Sequence, residues 1–260
     1  MSQAIYTATS GARTYGMRLD ILTHNLSNVN TIGFKQDRAV FRSYLPHSET
    51  PMKETLEKTG ISYIPEVASL YDTSNTMLVL DRTQTDFSSG QLRPTGNALD
   101  LALQGNGFFS IETPDGTRYT RSGNFTLNEE GVLVTQNGLP VLGQGGKITI
   151  TGDEVIVDSR GNVSVDGQEV DTLDIVDFTD LQTLTKVGST LFTPADPAVS
   201  GVTAEGFAIA QGSLELSNVD PVSVMSAMIE VLRGYESYQK VIKSVDDVNS
   251  KAINELGRFA

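Results

Sequence analysis

The chain has 260 residues, 38% of them hydrophobic and 20% charged, enough to bury a real core in one or two domains. Its formal net charge of −13 argues against nucleic acid or an anionic membrane surface as the main partner, because either would repel the average surface. With no cysteine and two histidines, a disulfide framework is impossible and a zinc or thiolate site is nearly excluded.

The charge is uneven. Acidic side chains dominate between residues 81 and 180, whereas residues 1–47 carry Asp20 and Asp37 against Arg13, Arg18, Lys35, Arg38 and Arg42. No stretch reaches the length of a membrane span, so no membrane insertion is expected. The start of the chain also lacks the charged and apolar regions of a conventional secretory signal.

Ile5, Ala8, Ala12, Tyr15, Leu19, Leu22, Leu26 and Val29 follow one another at steps of three and four, which predicts a helix over residues 3–29 with a heptad seam. Its flanks, Ser10, Gly11, Gly16 and Thr23, are small or polar. They allow close approach of another helix, but each interior glycine costs about 1 kcal/mol relative to alanine, so the helix should form weakly until something packs on it. It runs into Asn25-Leu26-Ser27-Asn28-Val29-Asn30-Thr31-Ile32-Gly33-Phe34-Lys35. Asparagine and serine favour helix ends, and Gly33 can take the positive φ of a C-terminal cap.

From Gln36 to about Arg82 the pattern weakens. Pro46, Pro51 and Pro65 predict extended or loop structure with at most a short strand at Ile61–Ile64. Short strands then follow at Leu99–Leu103, Gly107–Ile111, Arg118–Thr120, Asn124–Leu127, Val132–Thr135, Lys147–Thr151, Glu154–Val157, Asn162–Val165, Gln168–Val170 and Leu173–Phe178. Turns are marked by Pro114-Asp115-Gly116-Thr117, Asp166-Gly167 and, most strongly, Asn137-Gly138. Strands so short and so regularly punctuated predict a meander or small sandwich.

The last element is a helix from Pro221 to about Leu256, with Asp220 as N-cap acceptor and proline at the first helical position. Val224, Met228, Val231, Tyr235, Tyr238, Ile242, Val245, Asn249, Ala252 and Leu256 form a second seam. Met225, Leu232, Val241, Val248 and Ile253 widen it beyond what one partner helix would cover. Two seams at opposite ends of one chain predict that the terminal helices meet, with everything between them looped out.

No catalytic constellation emerges. Gly105-x-Gly107 has serine at position 110 and opens no helix; Arg160 sits where a calcium loop needs a ligand oxygen; neither a Gly-x-Ser-x-Gly elbow nor a Walker loop occurs. His24 reads as a surface or interface histidine, and His47 lies in a loop with no recognisable partner. No cofactor is expected.

Three segments, in order, resemble the signatures of the bacterial flagellar rod and hook proteins. The first carries Asn25, Leu26, Asn28, Thr31, Gly33, Phe34 and Lys35; the second runs from Gly90 to Leu142, with Asn97 to Phe109 and Tyr119 to Phe125 at its heart; the third is Gln211-Gly212-Ser213-Leu214-Glu215-Leu216-Ser217-Asn218-Val219-Asp220. Val176-Asp177-Phe178 and Lys186-Val187-Gly188 look more like proximal-rod members than distal-rod or hook ones.

The reading is an α+β chain. Residues 1–35 and 211–260 would form a discontinuous, coiled-coil-like helical assembly domain, residues 36–84 an extended connector, and residues 85–210 a central all-β domain. The resemblance implies a structural subunit that polymerises into the tubular basal-body rod, with copies of itself and other rod subunits as partners. It further implies export by the flagellar type III apparatus, without a cleaved signal peptide, to a periplasmic rod. The expected assembly residues are Ile5, Ala12, Tyr15, Leu19, Leu22, Asn25, Leu26, Asn28, Gly33, Phe34, Met228, Val231, Tyr235, Tyr238, Ile242 and Val245. The alternative is a secreted β protein that binds or hydrolyses cell-wall carbohydrate. Against it, tryptophan is absent and Tyr6, Tyr15, Tyr44, Tyr235 and Tyr238 lie near the chain ends.

Overall fold

The computed structural model describes residues 2–44, 77–196, 199 and 201–256. The strand expected at Ile61–Ile64 and the loop around His47 lie outside them, as do the side chains of Ala252 and Leu256. The architecture is α+β: long helices at the two ends and short antiparallel strands between them. The chain divides into two compact units, one drawn from Met1–Thr23, Arg38–Thr83 and Ser223–Ala260, the other from His24–Asp37 and Gln84–Val222.

The first unit holds most of helix α1, which spans Ser2–Ser27, and of helix α2, which spans Pro221–Leu256. Burial along α2 follows the heptad: Val224 and Val231 are buried, Met228, Tyr235, Tyr238, Ile242, Val245 and Asn249 half-buried, and the charged positions between them exposed. On α1, Ala8 and Ala12 are buried, while Ile5, Tyr15, Leu19, Leu22 and Leu26 are half-buried. The helices meet through Tyr15 and Tyr238, whose ring centroids are 5.5 Å apart. Strand β1 (Asp37–Tyr44) pairs with β2 (Met77–Thr85), where the sequence predicted extended or loop structure. Val40, Phe41, Leu78, Val79 and Leu80 favour strands, but the two strands pair across a long intervening segment, a non-local match that no local turn signal announces.

The second unit contains β3 (Leu92–Pro94), β4 (Leu101–Gln104), β5 (Phe108–Thr113), β6 (Gly116–Thr120), β7 (Phe125–Leu127), β8 (Leu133–Thr135), β9 (Leu142–Gly143) and β10 (Gly146–Lys147). It continues with β11 (Val155–Val157), β12 (Asn162–Val165), β13 (Gln168–Thr172), β14 (Ile175–Asp177), β15 (Leu184–Val187), β16 (Leu191–Pro194), β17 (Val202–Thr203), β18 (Ala208–Gln211) and β19 (Ser213–Glu215). Its centre is a six-stranded antiparallel sheet in the order β15-β16-β6-β5-β14-β17. In the β12–β13 hairpin both central turn residues are left-handed, Asp166 at φ 50° and Gly167 at φ 80°, the geometry that Asp-Gly serves best. At Asn137-Gly138 the hairpin forms around a three-residue loop instead. Thr135 N–H donates to Leu139 O, and only Gly138 has positive φ.

Strand β5 separates two interiors because successive side chains point to opposite faces. Phe109 and Ile111 join Leu101, Leu103, Phe125, Leu133 and Val141 in the larger one. Phe108 joins Phe178, Leu184 and Phe192 in a smaller, mostly aromatic one that Phe87 and Tyr119 flank. The unit is closed by strands from far along the chain: β18 pairs antiparallel with β4 and β19 with β3.

Candidate assembly interface

The last turn of α1 and the segment after it form a run of polar locks. Asn25, buried, donates from Nδ2 to Asp37 O at 2.7 Å and accepts the Asp37 N–H at 2.9 Å, so one side-chain amide satisfies both main-chain groups of a residue twelve positions on. Asn28 Nδ2 donates to His24 O, and its Oδ1 accepts the Thr31 hydroxyl. Gly33 has φ 68°, but it lies six positions beyond the end of α1 and does not cap it. Its bare Cα instead lets the chain press on the Arg121–Ser122 backbone, where an added Cβ would overlap main-chain atoms. The Gly33 N–H donates to Glu215 O at 2.8 Å. Phe34 is fully buried, with the Lys186 ammonium 4.3 Å from its ring centroid and the His24 ring edge-on at 5.6 Å.

Next to Phe34 sits a buried ion cluster. Lys35 Nζ donates to Glu215 Oε1 at 2.7 Å and to Ser88 O at 2.8 Å; both side chains of the pair are 1% exposed. Arg121 Nη1 lies 3.8 Å from Glu215 Oε2, and the guanidinium donates to Leu103 O and Gly105 O while covering the Phe108 ring. Glu215 Oε1 also accepts the Gly90 N–H. Burial pulls both Lys35 and Arg121 below their ordinary values, and Glu215 opposes the shift in each. Asn218 completes the lock, accepting the Gln36 N–H and donating to Asp86 O and Ser88 O. Beside it, Lys186 Nζ bonds Asp37 Oδ1 at 2.7 Å and Lys35 O. Burial lowers the Lys186 ammonium too, against the pull of Asp37.

The three sequence signatures therefore converge in one unit. Of the expected assembly residues, Asn25, Asn28, Gly33 and Phe34 engage partners within their own chain here. Ile5, Ala12, Tyr15, Leu19 and Leu22 lie along the α1 seam and Met228, Val231, Tyr235, Tyr238, Ile242 and Val245 along that of α2, while Leu26 is half-buried near the end of α1. Outside the α2 seam a second set of apolar side chains faces solvent: Met225 at 46% exposed, Ile229 at 54%, Leu232 at 39%, Val241 at 48% and Val248 at 54%. Sequence reasoning passed over Arg121, Glu215 and Lys186. One signal was present, since Leu214-Glu215-Leu216 sets a lone carboxylate between leucines; yet β19 buries Leu214 and Glu215 together, so alternation does not predict it.

Among the described residues, a cleft of about 330 Å³ opens beside Thr31, Ser122, Asn124, Gln136 and Asn137, and no side chain lining it titrates. No three His, Cys, Asp or Glu among the described residues come together to hold a metal ion. No described helix is long and apolar enough to cross a membrane.

Comparison with known proteins gives matches along most of the chain. Residues 5–35 match the family described as "Flagella basal body rod protein", residues 102–165 "Flagellar hook protein FlgE/F/G D1 domain", and residues 210–255 "Flagellar basal body rod FlgEFG protein C-terminal". The chain is 35% identical to the flagellar basal-body rod protein FlgF of Caulobacter vibrioides, over all of both chains. It is 32% identical to the flagellar basal-body rod protein FlgG of Bacillus subtilis, over 98% of this chain and 99% of that one. A third similar protein, at 32% over the whole of both chains, is the flagellar hook-basal body complex protein FlhO of Bacillus subtilis. None of these names supports the carbohydrate-binding alternative.

Proposed function

The chain belongs to the flagellar basal-body rod protein family, and from that premise we propose that it polymerises through its terminal helices into the tubular rod. It is a structural subunit of the bacterial flagellar basal body and interacts there with other rod subunits. Further copies of itself are partners in the same tube. The observation that carries the helical mechanism is the second apolar face of α2: Met225, Ile229 and Leu232 stand exposed although the seam behind them is already covered. Apolar surface left on a helix that already has one partner favours a second.

In this reading the rod lies in the periplasm, and the flagellar type III apparatus delivers the subunit unfolded. The glycines at 11 and 16 support that route, since they weaken α1 before it packs. In the same reading the subunit transmits torque along the rod. The proximal rod is the finer position, supported by Val176-Asp177-Phe178, by Lys186-Val187-Gly188 and by the FlgF relative.

The test is Ile229→Asp. Ile229 is exposed in the single chain, so the monomer should keep its stability within about 0.5 kcal/mol. Packed against a neighbour, the carboxylate would be a buried unpaired charge at every subunit, and rods should not form. Glu129→Lys, in an exposed turn of the central unit, is the control and should assemble normally. Motile cells with complete basal bodies carrying Ile229→Asp would refute assembly through this face.

A further inference from the structure

We infer that Glu215 is a completion switch: the central unit stays open until the segment carrying this carboxylate is in place.

The order of charges along the chain is the first observation. Lys35 and Arg121 come early, and the direct ion pairs of both run to Glu215, which lies 180 residues beyond Lys35. Asp86 acts on Lys35, and Asp177 on Arg121, through space. All three clustered side chains are at least nine-tenths buried. A chain that collapsed without residue 215 would have to bury an ammonium without its bonded carboxylate and a guanidinium without the charge that lies 3.8 Å from it. Removing one partner from a buried pair shifts a folding equilibrium by about 100-fold or more. In the open chain both cations stay hydrated, so the charges oppose early closure, which three leucines at these positions would not do.

The second observation is the backbone. Ala208–Gln211 covers the inner strand Leu101–Gln104, and Ser213–Glu215 covers Leu92–Pro94. Around them Gly33 N–H donates to Glu215 O, Leu216 N–H to Gln91 O, and Gly212 N–H to Asp100 O. The segment that brings the carboxylate thus also supplies the hydrogen-bond partners of two strands laid down about a hundred residues earlier. Charge and ladder close in one event. This concerns a single chain and stands whether or not the helices build the tube.

Pulsed hydrogen exchange during refolding of the full-length chain tests it. Amides of Leu101–Gln104 and Phe108–Thr113 should gain protection in the same kinetic phase as those of Ala208–Glu215. Protection of the earlier strands in a prior phase would overturn the switch. In equilibrium unfolding, Glu215→Gln should lower the folded-to-unfolded ratio by about 100-fold or more, and adding Lys35→Met should recover at least about tenfold of it, since one stranded cation is gone. Purely additive losses would overturn the charge mechanism. Should Glu215→Gln fail to fold at all, the exchange experiment on the unsubstituted chain still decides.

Discussion

The ring of Tyr238 occupies the space that any side chain on Gly11 would need. The relationship is returned one turn away, where the Tyr15 ring lies over Gly234. Each helix thus offers a glycine hollow to the other's tyrosine. Gly11→Ala sets a propensity gain of about 1 kcal/mol against a ring that must swing aside, and should change helix content little. Gly11→Leu should separate the helices, lowering the far-ultraviolet circular dichroism of the isolated chain, and Tyr238→Ala in the same chain should restore part of the signal. Equal losses with and without the tyrosine would show that the hollow is not what pairs them.

Asn25→Ala should cost about 2–3 kcal/mol in urea unfolding of the central unit. The alanine leaves the Asp37 N–H and C=O without their side-chain partner beside the buried position 25. Asn25→Asp keeps only the acceptor and turns it toward the Asp37 carbonyl as well, so it should not rescue.

At Gly33, alanine meets two obstacles, a left-handed φ of 68° and the Arg121–Ser122 backbone against its Cα. Neither obstacle is a movable side-chain tip. The loss should exceed the roughly 1–2 kcal/mol of the φ penalty alone, read as a fall in the thermal midpoint of the central unit.

Alkaline titration should expose Lys35. Its pKa is lowered in the folded chain from 10.5, so the unfolded chain holds more protons between the folded value and 10.5. Folding stability contributed by this group therefore rises with pH across that window and is absent below it. The difference in unfolding free energy between the unsubstituted chain and Lys35→Met should be flat at neutral pH and grow as pH approaches 10.5. Taking the difference cancels Lys186, which burial also lowers, and Tyr119, which burial raises. A difference that shrinks with rising pH would contradict the buried ammonium.

Local chemistry made the helices and many hairpins legible. Asp220 accepts the Val222 N–H as a proline-led helix start requires, and the heptad from Val224 onward carries the helix to Leu256. The Thr113-to-Gly116 turn forms where Pro114 and Asp115 predict it, with Gly116 at φ 115°. What stayed hidden is non-local. Strands Asp37–Tyr44 and Met77–Thr85 each lack a clean alternation and find each other across a long intervening segment. Ser213–Glu215 reads in isolation as a lead-in to the last helix, and only its pairing with Leu92–Pro94 makes it a strand. The Lys35–Glu215 pair, 180 residues apart, leaves no trace in any window short enough to show periodicity.

Phe108 and Phe109 are consecutive in the chain yet belong to different interiors of the same unit. One ring is walled in by Phe87, Phe178 and Phe192, the other stands edge-on to Phe125 at 5.2 Å. A single peptide bond therefore joins two reservoirs of aromatic contact, and any tilt of the strand that moves one ring moves the other as well. The two interiors are expected to melt as one cooperative body, with a single calorimetric transition where their separate compositions alone would allow two.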